Sequence, residues 1–444
     1  MMTKDSVLHE IDTLGIRFVD LWFSDILGGV KNVTIPASQV ERVIDHGTHF
    51  DGSSVDGFAR VAESDMLLIP DLETFTILPW YDIEERTARM ICTVHNPQGE
   101  PFIGDPRVAL IKVIERARLM GYEFQTGLEV EFFLFETDAN QKPILNSVHD
   151  TAGYFDISND DAQIVRRKMI RTLDAMNIPT NSTHSEIGRG QHEIGFDYAS
   201  ALASADRFFT TRVTLRAVAR QHGLYCTFMP RPRADLPGSG MHTHQSLHDL
   251  DTEENLFADS DNEYGLSDIA RHFLAGQLHH ARAMTAVLAP LVNSYKRLGT
   301  SFEAPVHVSW AHINRAALIR VPSVTSGTER HTRLELRCPD PSANPYLAMA
   351  VMLQAGLNGI KHKMQVPAPM EETLLTQDRK RLRRVETLPN SLAESLDALR
   401  QDEVILGALG PYIGDRFLEA KHQELEDYNR YVTGWELDRY LNRY

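Results

Sequence analysis

The chain carries an apolar run at residues 124–135, FQTGLEVEFFLF, whose composition is typical of a buried β-strand. Strand side chains point alternately to two faces, so Glu129 and Glu131 share one face, roughly 6–7 Å apart. A buried, unpaired carboxylate is costly, and the usual remedies are a cationic side chain, a raised pKa or a bound cation. The pair therefore predicts either structural salt bridges or a metal site.

Apolar residues at helical spacing predict helices in the later part of the chain. One helix is capped by Asp105 and ends near Gly121, one covers residues 162–176, and one begins behind Asn344 and Pro345. Strands alternate with these helices irregularly, without the regular rhythm of a doubly wound fold. The pattern predicts the α+β class.

A domain boundary is predicted near residue 104, where the segment HNPQGEPFIGDPR gathers turn residues. Residues 1–104 contain short strand patterns joined by turns, which predict a small strand-rich domain. Residues 105–444 predict a larger domain, long enough to build a deep site that excludes water.

Charge and composition narrow the class of protein. The 61 acidic residues exceed the 45 basic ones and leave a net charge of −16, which argues against nucleic acid and anionic membranes as partners. Cys92, Cys226 and Cys338 have neither metal-ligand spacing nor a disulfide framework. The first residues lack the apolar stretch of an export signal, and no run approaches 18 apolar residues. These features predict a cytoplasmic protein.

Two segments concentrate side chains that bind metals or phosphate. HSEIGRGQHEIGF places Glu186 and Glu193 around a glycine-bearing turn, where solvated loop acids are the simpler interpretation. LPGSGMHTHQSL places His242, His244 and Ser246 on one face of a predicted strand, directly after glycines that allow close approach of a ligand. Structural histidines are the alternative there, and cation or phosphate binding is the functional interpretation.

Arginines alternate with an acid in RHTRLELRCPD, where Arg333, Glu335 and Arg337 share a predicted strand face. A salt-bridged surface strand is the alternative, but the planar arginine fork is the preferred partner of carboxylates and phosphoryl groups. The sequence has neither a GxxxxGK[ST] phosphate loop nor a GxGxxG dinucleotide fingerprint. Clustered arginines and glutamates predict anionic substrates held over divalent metal ions.

A series of motifs in collinear order resembles the bacterial and archaeal type I glutamine synthetases across essentially the whole chain. The motifs are FDGSSVDGF (50–58), GLEVEFFLF (127–135), GQHEIGF (190–196), PGSGMHTHQS (237–246), NSYKRL (293–298), FEAP (302–305), NR and IRVP (314–322) and RLELRCPDPSANPYLA (333–348). Each motif alone is weak, whereas eight in sequence are specific.

The resemblance implies a small β-grasp-like N-terminal domain and a catalytic domain with a curved antiparallel sheet and flanking helices. It implies a homododecamer of two hexameric rings, with active sites between subunits and a C-terminal helix inserted into the opposite ring. The implied small-molecule partners are ATP, L-glutamate and ammonium, with two or more Mg²⁺ or Mn²⁺ ions per site.

Individual positions match the functional residues of this family. The residues that match metal ligands are Glu131, Glu186 and Glu193 for one ion, and Glu129, His242 and Glu335 for the other. Those that match glutamate- and ammonium-binding residues are Ser54, Tyr154, Gly238, Arg297 and Arg337, and those near the nucleotide are His244, Ser246 and Arg320. The implied catalytic residues are Asp51 as the base from the adjacent subunit, Glu303 as the flap residue, and Arg315, which stabilises charge on the transferred phosphoryl group.

The implied reaction is ATP-dependent ligation of ammonia to the γ-carboxylate of glutamate through γ-glutamyl phosphate. Three positions depart from the common pattern: Pro237 replaces an Asn, Ser185 replaces a His and Ala316 replaces a Ser. The Pro-Gly-Ser stretch resembles relatives that join glutamate to polyamines or other primary amines, so a γ-glutamyl-amine ligase is the alternative. A catalytically idle, glutamine-sensing regulator on the same fold is the alternative from another class.

Regulation is partly readable from the sequence. There is no tyrosine between Tyr346 and Tyr412, so the adenylylation site of one branch of the family is absent. Arg60 matches an arginine associated with glutamine feedback in the other branch. Regulatory protein partners stay open.

Overall fold

The computed structural model describes residues 2–55, 65–147, 150, 152–156, 161–299, 304–325, 327–371 and 385–444. Arg60 and Glu303 lie outside the described residues, and so does the side chain of Ser54. Among the helices that are described, none is both long and apolar enough to cross a membrane.

The first sheet belongs to the N-terminal part of the chain. Its strands are β1 (Phe18–Ser24), β2 (Val30–Pro36), β3 (Thr48–Asp51), β4 (Asp65–Ile77) and β5 (Thr87–His95), in the order β2-β1-β5-β4-β3. The helices of this region are α1 (Lys4–Leu14) and α2 (Val40–His46). β1 and β5 run parallel, whereas the other described pairs of this sheet are antiparallel. The mixed sheet with its helices is the β-grasp-like arrangement expected from the sequence.

Within the described residues, the second sheet has nine strands built around one long strand. They are β6 (Tyr122–Glu136), β7 (Thr180–Ser185), β8 (Gln191–Phe196), β9 (Ala199–Ser200), β10 (Leu224–Thr227), β11 (Met241–Asp249), β12 (Trp310–Ala311), β13 (Ile319–Arg320) and β14 (Leu334–Leu336). The main path runs β12-β13-β14-β11-β6-β8-β7, while β9 and β10 also pair with β6. β12 and β13 run parallel, and the other described pairs are antiparallel, so the expected antiparallel sheet has one short parallel edge.

Helices accompany this sheet along the rest of the chain. They are α3 (Pro106–Leu119), α4 (Asp161–Ala175), α5 (Ala201–Gln221), α6 (Asp268–His279), α7 (Ala281–Leu288), α8 (Ser294–Arg297), α9 (Pro345–Lys361), α10 (Leu392–Gln401), α11 (Glu403–Leu409), α12 (Pro411–Arg430) and α13 (Gly434–Tyr440). α3 and α5 pack against β6, and α9 packs against α3 and α6. The α+β class is therefore confirmed.

Helix starts follow the capping chemistry read from the sequence. Asp105 accepts a hydrogen bond from the backbone N–H of Arg107 and begins α3, whose first residue is Pro106. Asn344 caps α9 in the same way. The expected apolar face of α4, with Ala162, Val165, Met169, Leu173 and Met176, is buried. The boundary after residue 104 stays a prediction, lying between the end of β5 and the start of α3.

Candidate active site

Strand register places the chemically active side chains on one face of the second sheet. Glu129 of β6 pairs with His242 of β11, and Glu131 pairs with Glu193 of β8. Further across the sheet, His244 of β11 pairs with Glu335 of β14. Glu335 also pairs with Arg320 of β13. Paired residues on neighbouring strands point to the same face, so this face is lined with carboxylates, imidazoles and guanidinium groups. The opposite face of β6, with Leu128, Val130, Phe132 and Leu134, is buried in the core.

One cluster joins Glu129, His242 and Glu335, whose ligand atoms all lie within 4.8 Å of one another. His242 Nδ1 lies 3.6 Å from Glu129 Oε2 and 3.9 Å from Glu335 Oε1. Glu335 also accepts a hydrogen bond from Arg320 Nε at 2.5 Å and another from Arg337. Burial alone would raise the pKa of Glu335, but the charges of Arg337 and the neighbouring histidines and Arg320 lower it to about 2. Glu335 is therefore a permanent carboxylate.

Glu129 occupies the same cluster from the β6 side. Its Oε1 lies 2.9 Å from His244 Nε2, and His244 Nδ1 accepts a hydrogen bond from Arg333 Nε at 3.2 Å. Burial would raise the pKa of Glu129, but hydrogen bonds from His242 and His244 outweigh it and hold the pKa well below its usual range. On this side of the site, imidazoles and guanidinium groups therefore compensate the negative charge of the carboxylates.

The other side of the site concentrates carboxylates. Glu131, Glu193 and His242 form one group of potential ligands, and His184, Glu186 and Glu193 form another. His184 Nε2 lies 3.2 Å from Glu193 Oε1, and its Nδ1 lies 3.5 Å from Glu186 Oε1. Burial, followed by the charges of Glu131 and Glu193, raises the pKa of Glu186 to about 8. Carboxylates that oppose one another's ionisation in this way suit a bound cation.

The structure brings all six residues of the predicted metal sites together in overlapping groups. Glu129, His242 and Glu335 form one group, Glu131 and Glu193 form a second with His242, and Glu186 and Glu193 form a third with His184. The sequence patterns gave no role to His184, and its pairing with Glu193 across β7 and β8 brings it into the site.

Gln191 is a site residue that sequence reasoning missed. Its Nε2 donates to Glu131 Oε2 at 3.0 Å and to the carbonyl of Gly238 at 3.1 Å. The backbone N–H of Gly240 donates to the same Glu131 oxygen at 2.9 Å. These bonds orient the carboxylate of Glu131 toward His242, whose Nε2 lies 3.8 Å from Oε1. The signal was available, because Gln191 stands two residues before Glu193 on the same strand face.

A cavity of about 370 Å³ opens beside the carboxylates, and Glu131, Glu186, Pro237, Gly238, Arg297 and Arg337 contribute to its lining. Arg337 is 5 % exposed, and its Nε has no hydrogen-bond partner among the residues the structure describes. A buried donor of this kind is costly unless a ligand accepts from it. The cavity is therefore suited to an anionic ligand.

Arg297 and Gly238 lie together at the wall of this cavity. Arg297, at the end of α8, donates to the backbone carbonyls of Arg337, Cys338 and Pro339 at 2.8–3.2 Å. A Cβ on Gly238 would come within 2.6 Å of Arg297 Cγ and 2.7 Å of the Pro230 carbonyl oxygen. Glycine is needed there because backbone and guanidinium stem approach so closely.

A second cavity, of about 530 Å³, lies further along the same sheet face and includes Ser246 and Tyr198 in its lining. Ser246 is buried, and its hydroxyl lies 3.2 Å from His248 Nε2. β11 therefore connects the two cavities, with His242 at the first and Ser246 at the second.

The remaining predicted residues lie at loops or in the first sheet. Tyr154 is 40 % exposed, its ring centroid lies 5.6 Å from that of His184, and burial followed by the charge of Glu186 raises its pKa. Its hydroxyl is hydrogen bonded to Arg315, so the structure brings these two together beside Glu186. Asp51 ends β3 and accepts hydrogen bonds from the N–H and hydroxyl of Ser53, as a turn-forming aspartate does. It belongs to the first sheet.

The donor set fits a hard divalent cation. The clusters offer carboxylate oxygens with few imidazoles, and Cys92, Cys226 and Cys338 are buried and free. Such oxygen-rich sets favour Mg²⁺ or Mn²⁺ over soft, thiolate-preferring metals.

Comparison with known proteins places the chain in a family. Residues 15–97 match the family model described as the glutamine synthetase beta-Grasp domain, and residues 103–440 match the one described as the glutamine synthetase catalytic domain. A glutamine synthetase of Halobacterium salinarum is 46 % identical over 443 residues, which cover 99 % of this chain and 96 % of the relative. A glutamine synthetase of Thermus thermophilus is 46 % identical over 451 residues, covering 100 % and 99 % of the two chains.

Solved structures agree with these relatives. A structure of GmaS in complex with ADP superposes with a TM-score of 0.88 at 33 % identity and covers 100 % of both chains. The apo form of GmaS gives the same TM-score and identity, covering 98 % of this chain and 99 % of the other. With full-length coverage by both family models and relatives, the chain belongs to the glutamine synthetase family, of the bacterial and archaeal type I, and is an enzyme of that family.

Proposed function

We propose that this enzyme joins ammonia to the γ-carboxylate of L-glutamate, with ATP converted to ADP and phosphate. Membership of the family implies a divalent metal and ATP. The observation that carries the proposal is the row of carboxylates beside a cavity lined by the buried Arg337, whose Nε has no hydrogen-bond partner among the described residues. Cation ligands and an anion-binding arginine side by side are what a phosphoryl transfer to a carboxylate requires.

The metal ligands we propose are Glu129, His242 and Glu335 for one ion and Glu131, Glu186 and Glu193 for the other. Bound there, Mg²⁺ or Mn²⁺ would offset the negative charge of the nucleotide and the γ-carboxylate as they approach. Gln191 and Gly240 hold Glu131 in place, and Arg320 and Arg337 hold Glu335, so the ligands are oriented in advance.

In this proposal the amino acid occupies the cavity of about 370 Å³, with Arg297, Arg337 and the backbone at Gly238 holding its carboxylates. The nucleotide lies along β11 toward His244, Ser246 and Arg320. A γ-carboxylate oxygen of glutamate forms a bond to the γ-phosphorus while the bond to the ADP oxygen breaks, giving γ-glutamyl phosphate and ADP. Arg315 and Arg320 stabilise charge on the transferred group.

The second step joins the amine. Asp51 of an adjacent subunit takes a proton from ammonium, and ammonia attacks the carbonyl carbon of the acyl phosphate. Phosphate leaves with the C–O bond electrons and takes up the second proton that the attached nitrogen loses, which gives the amide and hydrogen phosphate. Ser54, Tyr154 and Glu186 form the cation pocket, and Glu303 closes over the intermediate to exclude water. This role of Asp51 places the active site between neighbouring subunits, and we propose a homododecamer of two hexameric rings in the cytoplasm.

A γ-glutamyl-amine ligase is the second candidate, and the observation that favours it is Pro237. This residue lines the cavity, and its Cγ lies 2.9 Å from where a Cβ on Gly188 would be. Proline offers neither a side-chain hydrogen bond nor a backbone N–H, so the wall near the reacting groups is less polar than with asparagine. A less polar wall suits an amine with an organic substituent.

The test is ADP release by the purified enzyme with ATP, glutamate and Mg²⁺ or Mn²⁺, comparing ammonium with methylamine, ethanolamine and putrescine, and identifying products by mass. Glutamine formation at a kcat/KM above that of every organic amine supports the proposal. Preference for an organic amine supports the second candidate, and Pro237→Asn should then shift preference toward ammonium. No turnover with any amine would overturn both and favour an idle regulator.

A further inference from the structure

A third cavity, of about 720 Å³, lies away from the carboxylates, between the β1–β2 turn and α5. Leu27, Gly28 and Gly29 of the turn form one wall, and α5 forms another. It shares no described lining residue with the two cavities of the active-site face. The third cavity is therefore separate from the active site.

Three arginines of α5, which we call the arginine ladder, line this cavity: Arg212, Arg216 and Arg220. They are spaced by four residues, so they lie on one helix face with Cα atoms roughly 6 Å apart in succession. Like charges at this spacing destabilise a helix, since each arginine repels the next. Among the described lining residues there is no aspartate or glutamate to compensate them.

Arg212 is built into the floor of the site. It is 7 % exposed, and one of its terminal nitrogens donates to the carbonyl of Gly28 at 2.6 Å. Its Nε has no hydrogen-bond partner among the residues the structure describes. Burial, followed by the charge of Arg216, lowers the pKa of Arg212 to about 10, so it stays charged at neutral pH. A buried guanidinium with an unused donor is costly unless an anion completes it.

The nearby acid does not fill this role. Asp25 interacts electrostatically with Arg212, but its carboxylate lies 3.2 Å from Lys31 Nζ and accepts a hydrogen bond from the N–H of Gly29 at 2.6 Å. Burial raises the pKa of Asp25, and the bond from Gly29 and the charge of Lys31 lower it. The positive charge is also local, because the chain as a whole carries −16.

We propose that the arginine ladder is a binding site for a small oxyanion ligand with two or more anionic groups, distinct from the active site. Planar guanidinium groups bind carboxylate and phosphoryl oxygens in pairs, and the ladder offers successive positions along about 12 Å of helix. The ligand would contact the β1–β2 turn and α5 together, and thereby link the first sheet to the larger part of the molecule.

The test is isothermal titration of the full-length enzyme with two probes, pyrophosphate and citrate, which separate phosphoryl from carboxylate ligands. The ladder variant is Arg216→Gln/Arg220→Gln, chosen because both residues are exposed. The matched control is Arg167→Gln/Arg171→Gln, an exposed pair with the same spacing on α4. Arg337→Gln reports any binding of the probes in the active site.

We expect at least one probe to bind about tenfold more weakly to the ladder variant, while the α4 control and Arg337→Gln retain that binding. Arg212→Lys, which keeps the charge and removes the Nε donor, should weaken the same event. Binding that is equal in the ladder variant and wild type, or lost equally in the α4 control, would overturn the proposal. So would a change in assembly mass of the ladder variant without a change in probe binding, because the ladder would then contact an acidic segment of a second copy.

Discussion

The carboxylate of Glu335 lies between Arg320 and Arg337 and shares a cluster with Glu129 and His242. Glu335→Gln keeps the shape and removes the charge, so both arginines lose their ionic partner and a cation loses a ligand. We expect divalent-cation affinity and kcat/KM to fall by roughly 100-fold or more. Calorimetric titration with Mn²⁺ measures the affinity, and ADP release measures the activity.

The control for Glu335→Gln is Glu329→Gln, which removes an exposed acid from a turn just before the same strand. It should bind Mn²⁺ as the wild type does. If both variants bound Mn²⁺ normally, Glu335 would be a structural partner of the two arginines and not a metal ligand.

A second prediction at the residue scale concerns His280, whose Nδ1 lies 2.6 Å from Asp402 Oδ2 and whose Nε2 lies 3.1 Å from Asn358 Oδ1. Burial lowers the pKa of His280, but hydrogen bonds with Asp402 and Asn358 outweigh it and raise the pKa above its usual value. For Asp402, burial raises the pKa, but hydrogen bonds from His280 and from backbone N–H groups outweigh it. The pKa of Asp402 therefore lies below its usual value. The pair is therefore charged on both sides at mildly acidic pH.

The sign of the pH effect follows from these directions. Stabilisation by His280 is complete below its unfolded pKa of about 6.5 and is lost as the pH rises through its higher folded pKa. Stabilisation by Asp402 is present above about 3.9 and is lost as the pH falls through its lower folded pKa. Asp402→Asn retains the cap on the N–H groups of Val404 and Ile405. Its effect on stability therefore reports the ion pair with His280.

We expect Asp402→Asn to destabilise the protein by about 1–3 kcal/mol at pH 6 and by less at pH 9, measured by thermal unfolding. Asp397→Asn, an exposed acid paired with Arg400 at 3.4 Å, is the matched control and should change little at either pH. If the loss of stability were equal at pH 6 and pH 9, the charge of His280 would not change between these pH values, and the prediction would be wrong.

At the scale of elements, Asn344 connects α9 to the first sheet. Its Oδ1 accepts from the N–H of Tyr346 at 3.0 Å, and its Nδ2 donates to the carbonyls of Asp25 and Ile26 at 3.0 and 3.3 Å. Asn344→Ala loses the cap and the amide donor to these carbonyls, of which that of Asp25 still accepts from the N–H of Gly28, so we expect a loss of about 1–3 kcal/mol in unfolding free energy. Urea unfolding measures it.

Asn344→Asp separates the two roles, because an Asp keeps the cap and cannot donate to the carbonyls. It should be at least as destabilising as Asn344→Ala at neutral pH, since a carboxylate would face carbonyl oxygens. Asn390→Ala removes an exposed asparagine and serves as the control. Wild-type stability of Asn344→Asp would show that the bonds to the β1–β2 turn contribute little.

At the scale of the whole molecule, the last residues leave large apolar side chains in solvent. Tyr431, Trp435, Leu441 and Tyr444 are 61–93 % exposed in the single chain. A patch of this kind marks a contact surface in soluble proteins. In the two-ring assembly that we propose, deletion of residues 431–444 should leave single rings, seen by light scattering as a halved mass.

Trp435→Ser/Leu441→Ser should act in the same direction without shortening the chain. Ile83→Ser is the matched control, since Ile83 is 73 % exposed in the first domain. An unchanged mass in both the deletion and the double variant would exclude the C-terminal segment as the contact between rings.

Local patterns made part of this architecture predictable. The apolar run around Glu129 and Glu131 forms β6, the spacing from Ala162 to Met176 forms a buried helix face, and Asp105 and Asn344 begin helices. Each of these depends on residues within a few positions of one another, because strand alternation, helical period and capping bonds are short-range. The motif series added the family, and with it the expected ligands.

Tertiary structure decided which distant side chains meet. The chain order does not reveal that Glu335 lies beside His244, that Gln191 holds Glu131, or that the β1–β2 turn closes over Arg212. These contacts join residues far apart in sequence, and strand order and helix packing determine them through the burial of the whole core. The sequence by itself therefore determined the elements and the kinds of side chain on their faces. Only the fold decided how close the carboxylates lie to one another and that the arginine ladder lines a cavity.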